Sequence, residues 1–157
     1  MYEEFEALFR VVIAMALGAV LGWERQATGK QAGLRTHMLV ALGAALFVAL
    51  GEAMVVRFDT TDTTVRLDPM RIVEAVVTGV SFLGAGTIFV SRGKRERVRG
   101  LTTAASIWAT AGVGLAAGLG RYVLAVGTTA AVLLILKGLI HVEPDEDVVN
   151  DADARAD

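Results

Sequence analysis

The sequence contains no cysteine. Disulfides, thiolate nucleophiles and cysteine metal sites are therefore excluded, and the redox compartment leaves no mark. Histidine is nearly absent. His37 and His141 stand alone, without partners at ligand spacing, so neither is a convincing metal ligand. No nucleophile–base arrangement is recognisable, so an enzyme is not expected and no catalytic residue is assigned. No cofactor and no nucleic-acid partner is expected. The N-terminus lacks the basic start of a cleavable signal peptide, because Met1–Glu6 is acidic. The first apolar run is therefore expected to be a retained helix.

What is abundant is apolar surface. The chain has 157 residues, 54% of them hydrophobic, with 17 glycines. Mean hydropathy is positive, at +0.55. This is too apolar for a small soluble domain, and glycine-rich apolar helices suit membrane bundles. Five spans are predicted: Ala7–Trp23, interrupted only by Arg10; Met38–Val56; Ile72–Val90; Leu101–Leu119; and Tyr122–Ile140. The expected fold is all-α, a polytopic membrane bundle of five transmembrane helices. Four spans, with the first helix lying in the interface, is the alternative. The short Gly118–Arg121 connection predicts a tight hairpin turn. Asp68-Pro69 predicts the start of the third helix, since aspartate caps and proline suits the first turn.

Basic residues set the expected orientation. Arg25, Lys30 and Arg35 lie between spans one and two; Arg92, Lys94, Arg95, Arg97 and Arg99 lie between spans three and four. The opposite side holds fewer cations, diluted by Asp59, Asp62 and Asp68. The positive-inside rule then places the N-terminus outside and the C-terminus in the cytoplasm of a multi-pass inner-membrane protein. Residues 1–142 form the expected membrane domain. Residues 143–157 are acidic, poor in large apolar side chains and expected to be disordered.

Spans one and two resemble spans three and four. Arg10-x-Val12-x-Ala14-x-x-x-Gly18 matches Arg71-x-Val73-x-Ala75-x-x-x-Gly79, and Gly33-Leu34-x-Thr36 matches Gly100-Leu101-x-Thr103. Two readings stand: a parallel repeat of two helical hairpins, or chance recurrence of small residues. Polar residues also form stripes. Arg71, Glu74, Thr78 and Ser81 share one face of the third helix, and Thr102, Ser106 and Thr110 one face of the fourth. If the stripes meet, they make a polar or ion path; otherwise they serve helix–helix hydrogen bonding. Gly18-x-x-x-Gly22 and Gly114-x-x-x-Gly118 are small-residue packing motifs, expected to pack helices. A five-helix monomer of this size buries few polar groups well, so a homodimer through glycine faces is predicted. The basic loop suits either orientation alone or attraction to anionic lipid and acidic partners.

Two phrases carry a family resemblance. Gly22-Trp23-Glu24-Arg25 leads through Ala32-Gly33-Leu34-Arg35-Thr36-His37 to Val40-Ala41-Leu42-Gly43-Ala44. Later come Asp68-Pro69-x-Arg71, Gly79-x-x-Phe82-Leu83-Gly84-Ala85-Gly86 and Val98-Arg99-Gly100-Leu101-Thr102-Thr103-Ala104-Ala105. Together they resemble the MgtC/SapB family of bacterial inner-membrane proteins, over roughly Ala7 to Tyr122. The resemblance implies a five-helix membrane domain, and links to growth at low magnesium, acid stress and survival of pathogens in host cells. It implies functional positions at Glu24, Arg25, Arg35, Asp68, Arg71 and the Gly84–Gly86 turn. Virulence members carry an ACT-like domain after the last helix; here an acidic stretch of about fifteen residues follows, and regulation through such a domain is not expected.

Three functions are weighed. The first is magnesium-linked or ionic homeostasis through modulation of other membrane proteins, as for relatives that bind the F-type ATP synthase. The second is a Mg²⁺ transporter or channel, with Asp68 at the outer mouth and Glu74, Thr78 and Ser81 as oxygen ligands. The third is a lipid-binding scaffold.

Overall fold

The computed structural model describes residues 2–59, 68, 70–91 and 97–138. It contains α1 (Tyr2–Ala27), α2 (Leu34–Asp59), α3 (Met70–Ala85), β1 (Phe89–Ser91), β2 (Arg97–Arg99), α4 (Leu101–Gly118) and α5 (Tyr122–Gly138). The fold is all-α, with five helices. The two strands form only a short antiparallel hairpin, pairing Phe89 with Arg99 and Val90 with Val98. The predicted tail, and most of the basic loop, lie outside the described residues.

Length and apolarity let α1, α2 and α4 cross a membrane. The 26 residues of α1 and of α2 span ~39 Å each, against a hydrocarbon core of ~30 Å. The third span departs from expectation. It was predicted as helix to Val90, but α3 ends at Ala85 after 16 residues. The cause is local. At Gly84-Ala85-Gly86 the amide of Thr87 donates to Gly84 O at 2.9 Å, and the Thr87 hydroxyl donates to the same oxygen at 2.8 Å. Phe89 to Ser91 then spend their backbone groups on β2 instead of on a helix. At its other end α3 is capped by Asp68, whose Oδ1 accepts from Met70 N at 2.9 Å.

Successive helices run up and down. Arg10, near the start of α1, meets Glu52 near the end of α2 and Gly118 O at the end of α4. Glu24 and Arg25, His37, and Ser106 gather at the opposite end. α4 turns sharply into α5. Gly120 N donates to Ala117 O at 2.9 Å and Arg121 N to Ala116 O at 2.8 Å, with Gly120 at φ 71°. This is a Schellman closure, in which glycine adopts the left-handed conformation without a Cβ penalty. Both Gly-Leu-x-Thr steps of the sequence begin a helix, at Leu34 and at Leu101.

Two apolar clusters meet along α4. One joins Ala14 and Leu21 of α1, Ala41 and Ala45 of α2, Val113 and Ala117 of α4, and Ala125 of α5. The other joins Ala44 and Val48 of α2, Val76 and Val80 of α3, and Ile107 and Ala111 of α4. Alanines dominate the first cluster because the backbones lie so close. A Cβ on Gly18 would sit 2.5 Å from His37 O, one on Gly22 2.7 Å from Leu34 Cα, and one on Gly118 2.9 Å from Ala45 Cα. A Cβ on Gly114 would sit 2.9 Å from Ala41 Cα. The predicted glycine faces are thus consumed inside the chain, with α1 and α4 gripping α2.

Candidate functional site: a buried polar cluster between three helices

The end of α1 carries Glu24 and Arg25 into the interior, although adjacent helical residues point ~100° apart. Long side chains close that gap. Arg25 Nε donates to Glu24 Oε2 at 2.7 Å, and Nη2 donates to Oε1 at 3.2 Å. The pair is almost sealed, with side-chain exposure of 2% for Arg25 and 4% for Glu24. Burial of two charges is tolerated because this fork-to-carboxylate geometry compensates both. Arg25 Nη1 is buried without a hydrogen-bond partner among the described residues.

The first turn of α2 brings His37 beside this pair, fully buried. Its Nδ1 lies 2.9 Å from Gly33 O, and its Nε2 lies 3.2 Å from Ser106 Oγ on α4. A carbonyl only accepts, so Nδ1 carries a proton. Ser106 Oγ also lies 2.8 Å from Thr103 O. One hydroxyl proton serves one acceptor at a time. With a neutral ring, Ser106 chooses between His37 Nε2 and Thr103 O. With an imidazolium, Nε2 donates to Ser106 and Ser106 donates to Thr103 O, so every contact is filled. With the neutral ring the cluster therefore has two proton arrangements, distinguished by one hydroxyl rotation.

A second polar knot closes the other end. Arg10 donates to Glu52 Oε2 at 3.0 Å and to Gly118 O at 3.2 Å, and also pairs with Glu6 one turn away. It joins α1, α2 and the α4–α5 turn. Beside it opens a cavity of about 750 Å³ lined by Glu3, Glu6, Arg10, Glu52 and Ile72. At the His37 end, an apolar groove of similar volume is lined by Trp23, Glu24, Thr28, Met38, Leu133 and Lys137.

The predicted site residues scatter over these surroundings. Glu24, Arg25 and Ser106 enter the buried cluster. Asp68 caps α3 and is exposed; Arg35 and Thr102 are exposed at the starts of α2 and α4. Arg71, Glu74, Thr78 and Ser81 lie on the exposed side of α3, where Ser81 Oγ donates back to Val77 O at 2.7 Å. The α4 stripe of Ser106 and Thr110 is buried, and Gly114 beneath it meets Ala41 and Ala44 of α2. The two stripes therefore do not face each other. α3 instead offers Val76, Val80 and Gly84 to the core, because these sit opposite its polar residues on the helix circumference. Gly84 packs on Ala104, and Gly86 lies in the turn that ends α3. Among the described residues, no group of three or more His, Cys, Asp or Glu side chains could hold a metal ion.

Sequence reasoning missed His37, Arg10 and Glu52. A signal for His37 existed. It precedes Ala41, Ala44, Ala45 and Val48 at helical spacing, and those residues form the buried face of α2.

The sequence model of the MgtC family matches residues 11–144. The chain belongs to the MgtC family. Among MgtC-family relatives, it is 44% identical over 135 residues to YhiD of Escherichia coli (strain K12), named as a candidate magnesium transporter, covering 84% of this chain and 60% of YhiD. It is 42% identical to SrpB of Synechococcus elongatus, over 83% of this chain and 72% of SrpB. It is 41% identical to MgtC of Salmonella typhimurium (strain LT2), over 82% of this chain and 50% of that MgtC. The chain thus spans about three fifths of YhiD and half of MgtC. No solved structure matches significantly. The matched region contains the whole buried cluster, from Glu24 to Thr110.

Proposed function

We propose that this MgtC-family membrane protein acts in magnesium-linked ionic homeostasis by modulating other membrane proteins rather than by conducting the ion. The homeostatic part rests on a relative named for magnesium, YhiD. The non-conducting part rests on one observation: the interior between α1, α2 and α4 is filled by backbone. Gly18, Gly22, Gly114 and Gly118 hold the chains so close that even a methyl group would collide. Apart from Arg25 Nη1, the polar groups inside spend their hydrogen bonds on one another and on nearby carbonyls, and Arg25 is tied to Glu24. Mg²⁺ keeps several waters and asks for roomy oxygen ligation.

The acid-lined outer cavity favours a second reading, a cation-gathering mouth. Two measurements separate them. The full chain is expected to restore growth at limiting Mg²⁺ in bacteria lacking their own MgtC-type protein. In liposomes containing a Mg²⁺ reporter, the same protein is expected to give no influx above empty vesicles. Influx that is lost on Glu52→Gln would replace modulation by transport.

A further inference from the structure

α3 packs on the bundle with one face and leaves the other open. The open face carries Arg71, Glu74, Ala75, Thr78, Gly79 and Phe82, all exposed, with Phe82 at 81%. Neither the Arg71 nor the Glu74 side chain has an ion pair or hydrogen bond among the described residues. Ile72 packs at Gly51, beside Glu52 at the outer end of α2. Thr78, six residues along a 1.5 Å rise, therefore lies ~9 Å deeper, and Ser81 deeper still. In the five-span arrangement that is the depth of hydrocarbon, where an acyl chain answers no hydroxyl; Ser81 turns back to Val77 O, while Thr78 has no such bond among the described residues.

We infer that this face of α3 is the contact between two copies of the chain, arranged side by side with their α3 helices parallel. The first reason is charge. Copies inserted in one direction and related by a two-fold axis along the membrane normal bring like depths together. Arg71 and Glu74 lie one turn apart, so each arginine reaches the carboxylate of the other copy without needing a foreign partner. The second reason is shape. Ala75 and Gly79 stand four residues apart, the small-residue spacing that allows helix backbones to approach in a bilayer. A Cβ built on Gly79 meets nothing within 4 Å, unlike those on Gly18 and Gly114. The corresponding pair of the first hairpin, Ala14 and Gly18, is buried against α2, so this spacing already seats a helix once in the fold. Thr78 supplies a hydroxyl at the crossing, where it can bond its counterpart.

The absence of cysteine makes the test clean. Thr78→Cys and Phe82→Cys are introduced singly into the full chain, and native membranes are oxidised and analysed without reductant. A band of doubled mass is expected at both positions. It is not expected for Val123→Cys, a position 91% exposed on α5. Glu74→Arg added to Thr78→Cys should lower the dimer yield severalfold, and adding Arg71→Glu as well should restore it. Equal yield at Val123→Cys would overturn the inference. So would no doubled-mass band at Thr78→Cys or Phe82→Cys, including the case where Thr78→Cys is captured only by a protein of different mass. A charge reversal that fails to restore the yield overturns it too. None of these outcomes depends on the ionic role proposed above.

Discussion

Arg25 and His37 are the residues whose chemistry the fold changes most. In water each would be an ordinary cation or imidazole. Inside the bundle Arg25 is tied to Glu24 by two hydrogen bonds, while His37 is locked between Gly33 O and Ser106. Such a pair is stabilised mutually, so its value appears when one member is removed. Arg25→Met should leave Glu24 buried and unpaired, at a cost of ~3–5 kcal/mol. The double variant Glu24→Gln with Arg25→Met should cost less than the sum of the single variants, because no charge is stranded. Unfolding midpoints in detergent, measured for all members of the cycle, check this. Additive losses would mean that the two side chains act independently.

At the scale of elements, α4 is central, and its start is the most constrained point. Gly100 precedes it at φ 92°, a conformation that side chains other than glycine rarely adopt. A Cβ there would also run into the Thr87 carbonyl, at the base of the β hairpin. Gly100→Ala should therefore destabilise the protein by at least ~1 kcal/mol. It should also loosen the hairpin, seen as faster amide exchange at Val90 and Val98, which are register partners. By contrast Gly127→Ala, on the open side of α5, should be neutral or slightly stabilising, since nothing lies within 4 Å of its new Cβ.

For the whole molecule, the up-and-down course of α1 to α5 brings the starts of α1, α3 and α5 to one side and their ends to the other. Combined with the distribution of arginine and lysine, this course gives the orientation we propose: N-terminus outside, C-terminus in the cytoplasm. A fluorescent protein fused to the C-terminus of the full chain should therefore glow in intact bacteria. An alkaline phosphatase fused there should remain inactive. Active phosphatase would reverse the orientation or remove one crossing.

The existence of five helices followed from the sequence alone, because apolar runs and their polar interruptions are local facts. So did the α4–α5 turn and the Asp68 cap, each encoded within four residues. The family phrases were legible too, although their physical reason was not. Which face of each helix turns inward was decided only by tertiary packing. Ser106 and Thr110 share a periodic polar stripe much as Glu74, Thr78 and Ser81 do, yet one stripe is buried and the other is open. Periodicity states that a face exists; it does not state what covers it. That choice came from glycines on two helices gripping a third, which left α4 no room to turn its hydroxyls toward α3. The buried cluster of Glu24, Arg25, His37 and Ser106 joins residues up to 82 positions apart, and no local pattern announces such a meeting.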